Sequence, residues 1–244
     1  MLSPASSNPT MASALVDRLR SDIVEGVYPP GYRLVIRDLC DRYGVSLIPM
    51  REALSRLTGS GFVIAESQRG FRVAAVSLDD MMDIARTRAL IECEALKLSL
   101  THGDVAWESR LVAAHHHLSR LSLRDDAGTG QLSAQWDDAH MAYHDALISS
   151  CRSPVLLELA NNLRQRAARY RYLSVKAEAQ PQAAKAAKQQ MAHPPRDVAA
   201  EHKALTDAAL ARDVDLACEL LRRHLETTAE LARQEMLARS AAAE

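Results

Sequence analysis

Aromatic residues are scarce in this sequence: they make up 4% of its 244 residues, and glycine and proline occur only nine times each. Sandwiches and barrels built from many short strands need aromatic and β-branched residues and frequent turns, so an all-β fold is disfavoured. Apolar residues reach 48% and charged residues 25%, which excludes a chain that is disordered throughout. We expect a mainly α-helical protein with a sizeable core, organised as two domains.

Long apolar segments are missing as well. No run approaches the roughly 20 residues that cross a bilayer, and the start of the chain lacks the basic and apolar regions of a signal peptide. The four cysteines are far apart and form no CxxC pair, so neither a disulfide framework nor a thiolate zinc cluster is indicated. These absences predict a cytoplasmic protein without a membrane partner, whose cysteines are reduced and mostly buried.

Charge is nearly balanced, with a formal net charge of −1, but its distribution along the chain is uneven. Residues 1–75 hold nine basic and seven acidic residues, whereas the rest of the chain holds 21 basic and 24 acidic residues. The N-terminal part is therefore weakly basic, which permits a nucleic-acid partner without requiring one.

The N-terminal part carries helix and strand signals in a known order. After a flexible leader at 1–11, apolar residues recur with helical period from Ala12 and stop near Gly26. The next signals predict two helices and a hairpin of two strands around a glycine-containing loop, at 36–43, 46–60, 62–65 and 71–74. Three helices and a hairpin form a winged helix-turn-helix domain, here assigned to 12–76.

From residue 77 onward the pattern is helical only. Ser77 followed by Asp80 is typical of a helix cap, and no convincing strand signal follows. The region 77–238 is predicted to be an all-helical bundle, with a short tail at 239–244. Its helices are predicted at 78–101, 104–122, 131–151, 153–176, 195–211 and 213–238. The stretch 176–191 is either a solvated helix extension or a loose connector.

Three residues have the spacing of a helix-turn-helix motif. Cys40 is the small residue of the first helix, Gly44 takes the turn that needs a positive φ, and Met50 anchors the second helix. Around them stand a proline-glycine turn, PPGYRL, and the segment GVSLIPMREAL at 44–54. Residues 12–76 therefore resemble the DNA-binding domain of the GntR family of bacterial transcription regulators, whose hallmark is G-V-S-x-x-P-V-R-E-A-L.

The start of the second helix of such a motif enters the major groove of DNA. Ser46 is expected to cap this helix and reach phosphate, while Arg51 donates to guanine edges or to phosphate. Leu47 and Ile48 stand where many relatives have Arg and Thr. Because these two side chains cannot hydrogen-bond to base edges, contact with thymine methyl groups is the alternative.

The resemblance also implies DNA contacts outside that helix. Arg37, on the preceding helix, is implied to contact a base or a phosphate. Arg69 and Gly70, in the loop of the hairpin or wing, are implied to approach the minor groove or the backbone. The competing interpretation makes Arg37 and Arg51 solvated cations on the surface of a helical domain.

Four of the nine histidines can converge in the second region. His140 and His144 are one turn apart on a predicted helix, so their rings can project from one face. His202 and His224 lie on two consecutive helices whose antiparallel return can bring them to the same level. Four imidazoles from three helices suit Zn²⁺, Ni²⁺ or a similar divalent ion, although each alone is more often a polar surface or interface residue.

Residues 78–238 resemble the FCD ligand-binding domain of FadR-type members of the GntR family. In many members a carboxylate, a histidine one turn later and two histidines on the last helices hold a metal ion inside the effector cavity. His144, His202 and His224 match the three histidines, and His140 replaces the usual aspartate. The resemblance thus implies a metal site that is more positive than usual, in which His140 either is a fourth ligand or takes no part.

Relatives often bind a small carboxylate at the metal, helped by an arginine of the first helix of this domain. The segment from Arg88 to Glu92 is similar to the R-x-x-x-E motif of that helix, so Arg88 is a candidate for bidentate contact with a carboxylate effector. The alternative for Arg88 is a salt bridge with Glu92 on the helix surface.

The sequence thus predicts a sequence-specific DNA-binding transcription regulator, by default a repressor, that carries a divalent metal and responds to a small organic acid. FCD relatives dimerise through the helical domain, so a homodimer on a pseudo-palindromic operator is expected. Two alternatives are a hydrolase-type helical metalloenzyme with an accessory DNA-binding-like domain and a purely structural dimeric protein. The enzyme alternative lacks a general base at motif spacing, a nucleophile elbow and a phosphate-binding glycine loop.

Overall fold

The computed structural model describes residues 11–66, 69–124, 132–178 and 196–242. The chain divides into two compact units, residues 1–76 and 77–244. The described ranges contain nine helices and one three-stranded sheet, which confirms the mainly α fold class. The predicted leader and the predicted connector at 176–191 lie almost entirely outside the described residues.

The N-terminal unit consists of α1 (Met11–Val24), β1 (Arg33–Leu34), α2 (Ile36–Tyr43), α3 (Leu47–Gly59), β2 (Val63–Glu66) and β3 (Gly70–Val73). The apolar positions that predict α1, namely Leu15, Leu19 and Ile23, are all buried, together with Leu54 and Leu57 of α3. Complete burial of such a side chain contributes about 1.5–3 kcal/mol. This shared core holds α3 against α1 and so supports the turn that precedes α3.

The turn between α2 and α3 depends on Gly44. Its φ of 67° lies in the left-handed region, and its backbone N–H donates to the carbonyl of Cys40. A residue with a Cβ adopts this conformation only at a cost, which explains glycine at this position. Met50 is fully buried and anchors α3, as the motif requires.

The sequence predicts two strands in this unit, and the structure has three. Arg33 and Leu34 of β1 pair with Arg72 and Phe71 of β3, which lies between β1 and β2. A strand of two residues is too short to show alternation in the sequence, so its pairing depends on tertiary contact alone. The predicted hairpin is therefore the β2–β3 part of a three-stranded antiparallel sheet.

In its described residues the second unit is helical apart from an isolated bridge between Arg124 and Leu132. Each predicted helix is present with ends shifted by three residues or fewer, except that the last one continues to Ala242 instead of ending at 238. None of the helices in the described ranges is long and apolar enough to cross a membrane. The helices of this unit are α4 (Leu78–His102), α5 (Val105–Ser119), α6 (Ala134–Ile148), α7 (Pro154–Glu178), α8 (Val198–Leu210) and α9 (Val214–Ala242).

Helix caps and one buried indole position the helices of this unit. Ser77 Oγ accepts from the backbone N–H of Asp80 at 3.0 Å, as predicted, and similar caps begin α5, α6 and α8. The indole N–H of Trp107, on α5, donates to the carbonyl of Ala146 on α6 at 2.9 Å. Helix α4 packs against α6, α7 and α9, so these four helices surround a common interior.

Candidate functional site

The four predicted histidines come together inside the helical unit. His140 and His144 lie one turn apart on α6, His202 lies on α8 and His224 lies on α9. All four are buried, and one ligand nitrogen from each lies within 4.8 Å of the other three. Within the described ranges this is the only group of His, Cys, Asp and Glu side chains that could hold a metal ion.

The positions of the ring nitrogens fit a shared ion. The Nε2 atoms of His140 and His144 are 3.2 Å apart. A tetrahedral ion with bonds of about 2.0–2.1 Å separates its ligand atoms by about 3.3–3.4 Å. Nε2 of His202 is buried without a hydrogen-bond partner, which costs free energy that a cation between the rings would remove.

One carboxylate hydrogen-bonds to the outer nitrogen of a ring, and a second lies near the outer nitrogen of another ring without a hydrogen bond. Nδ1 of His224 lies 2.7 Å from Oε2 of Glu201, and Arg196 donates to the same carboxylate oxygen at 2.5 Å. Oε2 of Glu92 lies 3.7 Å from Nδ1 of His144. A carboxylate on one ring nitrogen sets the tautomer and leaves the other nitrogen available as a ligand.

The surroundings favour neutral imidazoles, which are the form that binds metals. Burial is the main cause that lowers the pKa of His140 and His144 well below the usual value, and neighbouring positive charges lower it further. Burial likewise lowers the pKa of His202 to about 2. Burial opposes ionisation of Glu201, but hydrogen bonds from His224 and Arg196 outweigh it and lower the pKa of Glu201 to about 2.

A buried group of charges borders the histidines. Arg88 Nε donates to Oε1 of Glu92 at 2.9 Å, and Nη1 of Arg164 lies 3.3 Å from Oε2 of Glu92. The ion pair between Arg88 and Glu92 therefore exists, but it lies in the interior and not on the helix surface, where the sequence alternative placed it. Arg164 also pairs with Asp145, which is exposed, so the interior itself holds one carboxylate between two guanidinium groups.

Arg164 and Arg171 also belong to this interior, although the sequence did not predict them there. They lie seven residues apart on α7 and share a helix face, and Arg171 Nε donates to Asp137 at 2.8 Å. The spacing is visible in NLRQRAARYRY, residues 162–172. Several arginines close together ordinarily mark a solvated face, and only the packing of α7 against α4, α6 and α9 buries these two.

The predicted DNA-contacting residues are all exposed, and they lie on three parts of the N-terminal unit. The start of α3 presents Leu47, Ile48 and Arg51, with about half of Leu47 and most of Ile48 exposed. The start of α2 presents Arg37, and the turn into β3 presents Arg69 and Gly70.

The prediction for Ser46 is wrong in one respect. It occupies the N-cap position of α3 with an extended backbone, as predicted, but its side chain makes no capping hydrogen bond. The expected capping role of the Ser46 hydroxyl is therefore contradicted. The hydroxyl is on an exposed residue at the start of the helix, where an acceptor such as phosphate can reach it.

Arg37 and Arg51 differ from Arg56 and Arg72 in their ion pairing. Neither pairs with a carboxylate in the described part of the chain, whereas Arg56 contacts Glu52 at 2.5 Å and Arg72 contacts Glu66 at 2.9 Å. An exposed guanidinium without an internal partner keeps all its donors for phosphate or for guanine.

Each of the two units matches a known protein family. Residues 11–73 match the family described as bacterial regulatory proteins, gntR family, and residues 83–227 match the FCD domain. The chain belongs to the GntR family. This GntR protein is 41% identical over 231 residues to the HTH-type transcriptional regulator BphR of Paraburkholderia xenovorans strain LB400, which covers 95% of this chain and 89% of BphR. It is 34% identical over 218 residues to the HTH-type transcriptional repressor GlaR of Escherichia coli K12, covering 89% and 94% of the two chains.

Solved structures share the fold of this GntR protein. Escherichia coli McbR/YncC superimposes with a TM-score of 0.70 at 18% identity, over 93% of this chain and 99% of that chain. A GntR transcriptional regulator from Rhodococcus sp. RHA1 gives a TM-score of 0.64 at 23% identity, over 90% and 96% of the two chains. The families and relatives are transcription regulators, so this GntR protein is a DNA-binding regulator and not an enzyme, contrary to the metalloenzyme alternative.

Proposed function

We propose that this GntR protein is a repressor whose FCD domain binds a divalent metal ion and a small organic acid that alters its affinity for an operator. The observation that carries the proposal is the meeting of four buried histidines, with ligand nitrogens within 4.8 Å, beside a buried excess of positive charge. Repression is supported by the relative GlaR, which is named a transcriptional repressor.

The ion would be held by His140, His144, His202 and His224, and Zn²⁺ and Ni²⁺ are the candidates because both accept imidazole nitrogen. The short separation between the Nε2 atoms of His140 and His144 supports His140 as the fourth ligand. Glu201 orients the His224 ring through a hydrogen bond to its Nδ1 atom. A bound ion would supply Lewis acidity toward a carboxylate oxygen of the effector.

Arg88 and Arg164 are the proposed receptors of the acid. They share the single buried carboxylate of Glu92, and neither Nε nor Nη1 of Arg164 has a hydrogen-bond partner in the described residues. Buried donors without partners are costly, so an anion that reaches them replaces a penalty with charge-assisted hydrogen bonds. A carboxylate matches the planar geometry of a guanidinium group.

Operator recognition is proposed for α3, α2 and the wing. Arg51 donates to guanine or phosphate, and the exposed side chains of Leu47 and Ile48 contact thymine methyl groups in the major groove. The remaining contacts go to phosphate, to a base or to the minor groove and come from Arg37, Ser46, Arg69 and Gly70.

Two copies joined through their FCD domains and related by a twofold axis would present two such readers to a pseudo-palindromic operator. The acid must bind one arrangement of the two readers better than the other, because a ligand with equal affinity for both arrangements shifts nothing. Binding of the acid is proposed to favour the arrangement that does not fit the operator, which relieves repression.

A paired experiment tests the metal and the acid together. Small organic acids are screened by thermal shift against metal-loaded and chelator-treated protein. An acid present at about 100 times its Kd should stabilise the loaded protein by about 2.7 kcal/mol and the chelated protein by much less. Equal stabilisation of both forms would contradict a site shared with the metal.

DNA binding is tested with operator sequences that the protein enriches from a random pool. The acid found in the screen should release the enriched DNA in a gel shift at fixed salt. Failure to enrich any sequence would contradict sequence-specific binding, and tighter binding with acid would contradict relief of repression.

A further inference from the structure

Two cysteines on different helices face each other in the core of the helical unit. Cys93 lies on α4 and Cys218 lies on α9, 125 residues later in the chain. Sγ of Cys93 is 3.5 Å from the carbonyl oxygen of Cys218, and Sγ of Cys218 is 3.7 Å from the carbonyl oxygen of Cys93. Each side chain therefore reaches the backbone of the other residue.

Nearby positive charges act on the thiol of Cys218. The hydrogen bond with Cys93 lowers the pKa of Cys218 against the effect of burial, and Lys97 and Arg222 lower it further. The same hydrogen bond and burial raise the pKa of Cys93. The positive charges of Lys97 and Arg222 favour a thiolate at Cys218, and the thiolate is the nucleophilic form of cysteine. Both residues are buried, with 5% of their surface accessible.

We propose that Cys93 and Cys218 are an oxidation site that forms a reversible intramolecular disulfide with a hydroperoxide such as hydrogen peroxide. The Cys218 thiolate attacks one peroxide oxygen, the O–O bond breaks, and the products are a sulfenic acid and, after protonation, one water. The sulfur of Cys93 then attacks the sulfenic sulfur, the S–O bond breaks, the S–S bond forms and a second water leaves. Two thiols are oxidised and one peroxide is reduced to two waters.

The disulfide would join two helices that carry residues of the proposed effector and metal sites. Cys93 directly follows Glu92 on α4, and α9 also carries His224. A covalent link between α4 and α9 restrains the helix that carries Arg88 against a helix that carries a histidine of the cluster. Because the link closes a long loop of chain, it also reduces the conformational freedom of the unfolded state.

The test treats the reduced full-length protein with a small excess of hydrogen peroxide, followed by alkylation of free thiols under denaturing conditions. Intact mass and peptide mapping of the wild type should show the loss of two hydrogen atoms and a peptide pair linked through Cys93 and Cys218, both reversed by dithiothreitol. Cys40→Ser and Cys151→Ser should form the same link, whereas Cys93→Ser and Cys218→Ser should not. Cys93→Ala and Cys218→Ala replace the serine variants if a buried hydroxyl prevents folding, as judged by circular dichroism.

Three results would overturn the proposal. These are a link between any other pair of cysteines, addition of oxygen to single cysteines without a link, and full alkylation of both residues after peroxide. A second measurement is the melting temperature of the oxidised wild type, which should rise and return to the reduced value with dithiothreitol. A melting temperature that is unchanged or lower on oxidation would contradict a link made in the native arrangement of α4 and α9.

Discussion

Arg88 and Glu92 form an ion pair in the interior of the helical unit, with Nε and Oε1 2.9 Å apart and side chains no more than 7% exposed. Glu92 also lies 3.3 Å from Arg164, so a single buried carboxylate serves two guanidinium groups. In the proposed function this arrangement holds Arg88 in place for the acid and leaves positive charge that an anion can compensate.

Replacement of Glu92 should show how much its ion pairs with the buried arginines contribute to the free energy of unfolding. We expect Glu92→Gln to lower the free energy of unfolding by about 3–5 kcal/mol, because removal of one partner leaves buried charge uncompensated. Urea denaturation measures the change. Glu94→Gln is the control, since Glu94 is exposed and lies 3.7 Å from Lys97, and it should change stability by less than about 1 kcal/mol. Equal effects of the two substitutions would show that Glu92 is not needed to balance the arginines.

Removal of a central histidine should abolish metal binding. His144→Ala takes away a nitrogen from the cluster, so the purified and dialysed variant should contain little metal by elemental analysis, while the wild type should contain one ion per chain. His116→Ala, on the exposed face of α5, is the control and should retain the ion. The same measurement on His140→Ala separates a fourth ligand from a bystander. Full metal content in His144→Ala would refute the proposed site.

Glu201 should raise the metal affinity of the cluster although it is not itself a proposed ligand. Glu201→Gln removes the carboxylate that lies 2.7 Å from Nδ1 of His224, and loss of such a partner typically weakens metal binding about 10–100-fold. Competition with a chromophoric chelator measures the affinity. Glu226→Gln, an exposed position on α9, is the matched control. If both variants bind metal as tightly as the wild type, the contact between Glu201 and His224 has no role in ligation.

Arg51 should contribute directly to DNA binding. Arg51→Ala is expected to weaken binding to an enriched operator by about 1–3 kcal/mol if Arg51 contacts guanine, and to reduce the salt dependence if it contacts phosphate. Fluorescence anisotropy at several salt concentrations distinguishes the two. Arg56→Ala is the control on the same helix, because Arg56 is already paired with Glu52. An affinity that matches the wild type at every salt concentration would exclude Arg51 from the interface.

Gly44 should be sensitive to substitution through backbone strain alone. A Cβ at this position would meet no atom within 4 Å, but the φ of +67° is unfavourable for residues other than glycine. Gly44→Ala should therefore destabilise the protein by about 1–2 kcal/mol, measured by chemical denaturation followed by circular dichroism. Gly59→Ala is the control, since that position is equally open and has no positive φ. A loss of stability no larger than that of the control would argue against a strained turn.

Local patterns predict much of the fold because they report which side chains are buried. The spacing of Leu15, Leu19 and Ile23 predicts α1, and all three are in the core. Ser77 predicts the start of α4 and caps it. The two-residue strand β1 could not be predicted in this way, because it has no periodicity of its own and exists only through its pairing with β3.

In the candidate site, too, local spacing predicted some features, and only tertiary packing produced the others. His140 and His144 are predictable as neighbours because residues four apart share a helix face. The burial of Arg164 and the interior position of the pair between Arg88 and Glu92 were not predictable, because the same spacings occur on solvated helix faces. The missing capping bond of Ser46 likewise depends on a side-chain rotamer, which residue type alone does not set.

By itself the sequence determined the order of the elements, the helix-turn-helix motif around Gly44 and the four histidines that can share one ion, since each of these follows from residue type and local spacing. Only the tertiary structure decided which charges are buried beside the histidines. It also decided that Cys93 and Cys218 are in contact. Contacts between residues distant along the chain depend on how whole helices pack, and that packing leaves no periodic signal at any single position.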